Sequence, residues 1–203
     1  MQTVTGPYAG VDWQLVGGDL ALDLVNTVGY RPDPARAADH LPDLRHLADW
    51  LAVAAPGEVD LSPEDLQSEP GRDVLARVRS LREDAAAVLT AHVHAAPVPH
   101  DALDSVRQAY EEALRQAELS PGLPLRHLVR VRSGADVVTL LALAVGRLCS
   151  RDDLDRLRTC SDAACGWFFL DVSRNRSRRW CDPGLCGNRA RVRTFAARQR
   201  SRT

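Results

Sequence analysis

The chain has 203 residues, 45% of them apolar and 26% charged, with a formal net charge of −1. That composition suits one full globular domain and one small one, and it excludes a disordered, collagenous or low-complexity chain. The average hides a polarity: positions 174–203 hold ten arginines against one acid, Asp182, a net of about +9, whereas residues 1–173 hold 16 arginines and 26 acids, a net of −10. An acidic body repels phosphate and a basic tail attracts it, so two jobs are expected of one chain. The basic residues are all Arg, a bias that base composition alone can produce, yet Arg brings bidentate phosphate and guanine contacts wherever it sits. The N-terminus lacks a basic segment followed by an apolar run, and the longest apolar stretch, Val137 to Val145, is too short to span a bilayer. A cytoplasmic protein that does not enter a membrane is expected.

In chain order, Trp13-Gln-Leu-Val16 reads as a short strand punctuated by Gly17-Gly18. Asp19 opens a helical pattern in which Leu20, Ala21, Leu24, Val25 and Val28 share one apolar face. Asp23, Asn26 and Thr27 fall together on another face. Arg31-Pro-Asp-Pro34 ends this element. Leu41 to Ala54 reads as a second amphipathic helix with Leu44, Leu47, Ala48 and Leu51 inward and Trp50 beside them. Ser62-Pro63-Glu64-Asp65 is a helix start, with the hydroxyl as cap and Pro at the first position. A long helix follows from about Gly71 to Ala95, carried by Val74, Val78, Leu81, Ala85, Val88 and Leu89 and stopped by Pro97 and Pro99. Another runs from His100 to Glu118, with Leu103, Val106, Tyr110, Ala113 and Leu114 as its apolar set. Leu125 to Val131 alternates weakly, as a short strand would. Ala135 to Cys149 is apolar on nearly every face and predicts a central buried helix, which Asp152 to Arg158 could prolong.

The C-terminal segment differs in kind. Cys160 and Cys165 are separated by four residues, Cys165 and Cys181 by fifteen, and Cys181 and Cys186 by four. Two paired-cysteine knuckles around a short loop supply what a tetrahedral four-thiolate zinc site needs. In a reducing cytosol disulfides are disfavoured. An iron–sulfur cluster is compatible with four thiolates, although the spacing matches neither usual ferredoxin pattern. Half of the ten aromatic residues lie in this segment, namely Trp167, Phe168, Phe169, Trp180 and Phe195. A unit this small needs bulky side chains and a metal to stabilise itself. Gly166 to Leu170 predicts a strand, Asp182-Pro-Gly184 a turn, and the residues after Cys186 a helix with a narrow stripe of Ala190, Val192, Phe195 and Ala196. The expected fold class is therefore mainly α: a helical N-terminal domain over 1–155, with a small β element, and a four-cysteine zinc finger with a basic tail over 156–203.

The string Cys160-x4-Cys165, Asp171-Val-Ser-Arg-Asn-Arg, Arg179-Trp-Cys181 and Cys186-Gly-Asn-Arg189 resembles the CGNR zinc finger family, whose name quotes the last tetrapeptide. The N-terminal part, with Leu22-Asp23-Leu24-Val25-Asn26-Thr27, looks like the ABATE domain that usually precedes that finger. Where the family often has Lys just after Asn-Arg, this chain has Arg191. The resemblance implies a bacterial stress-induced transcription regulator that binds DNA through its zinc finger.

The residues leave several roles open. Arg174, Arg176, Arg178, Arg179, Arg189, Arg191 and Arg193 are candidates for phosphate contacts, or else a solvated tail. Asn188 and Arg189 are the types that pair with base edges, but Gly-Asn after a knuckle also caps a helix. Asp23, Asn26 and Thr27 either line a small-molecule pocket in a sensor body or form a hydrogen-bond network that fixes packing. Cys149 reads as a buried small hydrophobe, with a regulatory thiol as its alternative. The six His show no ligand pattern and read as surface residues. No phosphate-cradling loop, nucleophile elbow or His-carboxylate metal motif is present, so no enzyme is expected. The function expected is a zinc-dependent regulator: the finger binds duplex DNA, and the body senses a small-molecule or protein effector. A homodimer would lengthen the DNA site. The alternatives are a protein-interaction adaptor whose finger binds an acidic partner, and an RNA-binding protein.

Overall fold

The most apolar segment of the chain lies at the centre of the fold. A computed structural model describes residues 2–59, 61–67 and 73–200. Among these there are seven α-helices and four two-stranded antiparallel ladders. Ser133 caps α6 (Gly134–Cys149) by accepting from the Asp136 amide, and Val137, Leu141, Leu143, Val145 and Leu148 are buried along it. Around it pack α4 (Val74–Val93), α5 (His100–Gln116) and the short α1 (Leu20–Val25). Gly146, unusual inside a helix, is explained by the Tyr110 ring: a Cβ there would lie 2.1 Å from the ring carbons.

Helix α4 buries all six apolar residues of its predicted stripe; its predicted start at Gly71 lies outside the described residues. On α5 the buried line is Ala102, Val106 and Ala113, one step around the helix from Leu103, which is 44% exposed rather than inward. Helix α2 (Leu44–Ala54) begins after Asp43, which accepts from the His46 amide, so the predicted start at Leu41 moves three residues. Ser62 and Asp65 cap α3 (Pro63–Gln67) reciprocally, each side chain meeting the other's amide. Two other expectations change. The first helix stops at Val25, and Val28 lies instead in β3 (Val28–Gly29), paired with β4 (Ala38–Asp39). Residues 152–158 do not prolong α6 but form a single 3-10 turn and β7 (Leu157–Thr159).

The N-terminal hairpin β1 (Gln2–Thr5) and β2 (Asp12–Leu15) is tied to α2 by buried Asp49. Burial would raise this carboxyl, but hydrogen bonds from the Ala9 amide, the Trp13 indole and the Tyr8 amide outweigh it and hold it below the usual range. The hairpin β5 (Glu118–Leu119) and β6 (His127–Leu128) is tied to α6 by Arg147, which donates to the His127 carbonyl.

The C-terminal segment docks on this body through β8 (Phe168–Leu170), which pairs with β7. Leu157, Phe168 and Leu170 enter the same core as α1 and α6. The joint is a side-chain amide. Asn26 is 4% exposed at the end of α1; its Oδ1 accepts from the Phe168 amide at 2.8 Å, and its Nδ2 donates to the Phe168 carbonyl at 2.9 Å. Leu170 donates to the Gly17 carbonyl and the Trp167 indole to the Val28 carbonyl. Asn26→Ala strands a buried amide and a buried carbonyl, so it is expected to cost about 2–4 kcal/mol in urea unfolding. Amide exchange at Phe168 should accelerate by the corresponding factor, and an unchanged unfolding midpoint would count against this joint.

Candidate metal centre and the cavity beside it

Two loops bring the four cysteines together. The first leaves β7 and returns to β8: the Cys160 amide donates to the Trp167 carbonyl, and the Cys165 amide to the Asp162 carbonyl. Gly166 closes it at φ +71°, a left-handed conformation that glycine adopts freely, and a Cβ there would fall 2.4 Å from the Pro32 ring. The second loop runs from Cys181 to the start of α7 (Cys186–Arg200). Asp182 Oδ1 shapes it by accepting from the Gly184 and Leu185 amides.

The four sulfurs are buried and all lie within 4.8 Å of one another. A tetrahedral zinc ion with metal–sulfur bonds of about 2.3 Å requires sulfur–sulfur edges of about 3.8 Å. The edges Cys165–Cys181 and Cys186–Cys165 are 3.7 Å, and Cys181–Cys186 is 3.5 Å. Without a cation the cluster cannot ionise throughout. Hydrogen bonds from Cys165 and Cys181 hold the Cys160 thiol far below its ordinary range, and the same proximity pushes Cys165 and Cys181 above theirs. A divalent ion removes that conflict. Cys160, Cys165, Cys181 and Cys186 thus form a closed structural site for one zinc ion.

Two of the predicted phosphate-binding arginines are turned to this centre. Arg189 donates to the Cys186 sulfur at 2.8 Å and to the Tyr30 hydroxyl at 2.8 Å, and pairs with buried Asp162 at 3.7 Å. Arg178 lies over the Phe169 ring and donates to the carbonyls of Val16, Trp180 and Cys181. Arg193 also pairs with Asp162, at 3.2 Å, Arg176 pairs with Asp155, and Arg179 lies over Trp180. Arg174 and Arg191 are exposed, Arg191 with one long contact to the Pro183 carbonyl. Asn188 is exposed, and no side-chain hydrogen bond occupies it among the described residues. The stripe expected along α7 is not buried, since Val192 is 60% and Phe195 65% exposed.

Beside the metal loops, between α1 and the finger, lies a cavity of about 400 Å³. Asp23, Asn26 and Thr27 all line it, as do Trp13, Tyr30, Trp167, Asp182 and Arg189. Asn26 is committed to Phe168. Thr27 Oγ1 donates to the Leu24 carbonyl and accepts from Arg82, a buried guanidinium held by both oxygens of Asp39 at 2.8 Å. Asp23 Oδ1 accepts from the Gly17 amide at 2.8 Å, and burial nevertheless pushes its carboxyl up to about 6. Sequence reasoning did not find Arg82, Tyr30, Trp167 or Asp182 as members of this region: their partners lie far along the chain, and Asp182 read only as a turn residue. Cys149 packs against the core, and burial pushes its thiol up to about 11, so it is not a reactive thiolate at neutral pH.

The fold and site define a helical body fused to a four-cysteine zinc finger. Residues 156–199 match the CGNR zinc finger model, and residues 18–159 match the ABATE model, described as "Putative stress-induced transcription regulator". The latter covers well over half of the chain, so the protein belongs to the ABATE family and carries a CGNR zinc finger. No curated protein matches it. Among the described residues no helix is long and apolar enough to cross a membrane.

Two outcomes are expected. Cys181→Ser should lose its zinc by mass spectrometry and also lower the melting temperature of the whole chain, because Leu157, Phe168 and Leu170 belong to the shared core. A variant that keeps one zinc per chain would refute the assignment. Asp23→Asn keeps the acceptor for Gly17 but removes the charge. Between about pH 4 and 6 the folded chain retains a proton that the unfolded chain, with Asp23 near its ordinary 3.8, has lost, so the wild type loses stability as pH rises. The variant should therefore be more stable by about 1–3 kcal/mol at pH 8. The difference should fall to less than half at pH 4.5, where acid effects common to both proteins cancel.

Proposed function

We propose that this chain is a zinc-dependent, DNA-binding transcription regulator whose finger contacts duplex DNA and whose body senses an effector. The observation that carries this reading is α7. It has five arginines and no acid over 15 residues, and every described side chain from Arg191 to Gln199 is exposed. At 1.5 Å per residue it is about 22 Å long, and an α-helix fits the major groove of B-DNA. So short a helix is marginal in water by itself, and one that leaves Val192 and Phe195 outside its own core is built to meet a partner.

Zinc fixes the first turn of α7 through Cys186, so the metal sets the direction in which the helix leaves the finger. Arg178 and Arg189 hold the metal loops in place, whereas Arg174, Arg191 and Asn188 are free to reach phosphate and base edges. No catalytic step is assigned. Two copies would double the length of duplex covered, as a single finger reads only a few base pairs.

Fluorescence anisotropy of the zinc-loaded chain on mixed-sequence duplex, over a range of salt, tests the reading. Affinity should fall steeply with salt and vanish on chelation. A double substitution, Arg174→Ala with Arg191→Ala, should keep zinc and reduce the magnitude of the log–log salt slope by about 2, one for each phosphate no longer neutralised. Absence of binding at low salt with the metal in place would overturn the regulator reading in favour of an adaptor that docks on an acidic protein. Stronger binding to single-stranded RNA than to duplex would do so in favour of RNA.

A further inference from the structure

Helix α7 carries one line of side chains that its own packing leaves outward. At about 3.6 residues per turn, Gly187, Ala190 and Arg193 fall on one side of it and Asn188, Val192 and Phe195 on the opposite side. The finger holds the first side: a Cβ at Gly187 would lie 3.0 Å from the Trp180 ring, Ala190 is half-buried, and Arg193 pairs with Asp162 at 3.2 Å. The second side faces solvent. Asn188 is exposed at the end nearest the metal, where it also borders the cavity beside the cysteines, and Val192 and Phe195 follow it at 60% and 65% exposure. Arg191 and Arg198 run along one flank of this line and Arg189 along the other.

Spacings of four and then three residues along the line also suit a coiled-coil contact with a second α7. Charge decides against it. The positions flanking such a seam set the pairing, and here they carry arginines, with no acid on the helix to answer them. Two copies repel where a polyanion is attracted. Among polyanions, the two exposed apolar side chains decide. A Val and a Phe gain nothing from phosphate; they gain by covering an apolar group. The major groove of DNA offers one such group, the C5-methyl of thymine, and an amide side chain in the same groove pairs bidentately with adenine N6 and N7. Duplex RNA offers neither, since its major groove is closed to side chains and uracil has no methyl.

We propose that the line Asn188, Val192 and Phe195 reads A·T base pairs in the major groove, with Asn188 on an adenine edge, Val192 and Phe195 on thymine methyls, and Arg191 on the adjacent phosphates. At 1.5 Å per residue the three side chains span about 10 Å, roughly three base-pair steps of 3.4 Å. One copy therefore specifies a core of about four base pairs. Arg189 is committed to Cys186, Tyr30 and Asp162 and holds the start of the helix in place. This inference rests on the reading of the finger as a duplex-binding module and adds the base pairs that it selects.

In the test, the zinc-loaded full-length chain is incubated at low salt with duplexes randomised over their central positions, and the bound fraction is sequenced. Adjacent A·T pairs should be enriched, and the best duplex should bind about tenfold or more tighter than a G·C counterpart of equal length. Replacing thymine by deoxyuridine in that duplex removes the methyl alone and should weaken binding about fourfold per contacted methyl. Val192→Ala combined with Phe195→Ala should keep zinc, keep the salt slope because every arginine remains, and lose the deoxyuridine effect. Asn188→Ala should lose the preference for adenine at one end of the core and leave the other positions as they were. Equal binding to all duplexes, no response to deoxyuridine, or a double alanine variant that still discriminates would overturn the A·T assignment while the DNA reading stands. A chain that binds no duplex overturns both. A dimer seen by light scattering without DNA, and lost in the double variant, would give the line to a second copy instead.

Discussion

The arrangement depends on one buried amide. Asn26 offers an acceptor and a donor in the geometry of a peptide group, and Phe168, 142 residues away, presents the matching pair. Both partners are out of water, so neither can be released without leaving polar groups unsatisfied. The pairing sets where β8 lies, and β8 sets the first metal loop, which starts and ends on the β7–β8 ladder. The finger is in this sense an extension of the body's core: Phe168 and Leu170 pack with α1 and α6, while Phe169, on the opposite face of the strand, packs on the cysteines. Three adjacent residues thereby join an apolar core to a metal centre.

Electrostatics explains why arginine is placed where it is. Four thiolates around a divalent ion make a dianion, and burying it requires donors that can reach several oxygens and a sulfur at once. Arg178 serves carbonyls of Val16, Trp180 and Cys181 and covers Phe169; Arg189 serves Cys186, Tyr30 and Asp162. A planar fork with five N–H groups can do this, and an ammonium cannot. The final arginine of the CGNR tetrapeptide is thus a structural counter-ion to the metal site. Arg189 keeps part of its surface in solvent all the same, as Arg174 and Arg191 do. The same logic holds in the body, where buried Arg82 is matched by Asp39 and Glu83.

What could be read from the sequence was what is local. The helix start at Asp19, the cap at Ser62, the stripe of α4 and the knuckle spacing of the cysteines depend on residues within a few positions of one another, and the structure carries each of them. What escaped depends on pairing over distance. Strands of two or three residues, such as β3 and β4, have no periodicity to detect, and they end the first helix at Val25 by drawing Val28 into a ladder. Arg82 could not be singled out from the sequence, because its partners arrive from 43 and 55 positions away. Leu103 and the α7 stripe failed for the opposite reason: an apolar pattern says which face could be buried, not whether anything covers it. Asp23, Asn26 and Thr27 were recognised as a polar group on one side of α1. That two of them hold the fold while all three line a cavity could not be read without the finger in place.

Several unfavourable features of this molecule lie at the joint. Asp23 is a half-buried carboxylate whose hydrogen bond to Gly17 does not offset its desolvation. Asp182 keeps an oxygen without a partner. Tyr30 sits at φ +54°, costly for an aromatic residue, between the guanidinium groups of Arg36 and Arg189. The core formed by α4, α5 and α6 is by contrast apolar and closely packed. Local strain and unsatisfied charge persist where the surrounding structure holds them for a use. Here they lie between the part of the chain that folds by burial and the part that folds by metal. The cavity there is lined by three of the four clustered cysteines and by Asn26, which anchors β8. Body and finger therefore share one interface, built from the end of α1, β8 and the metal loops.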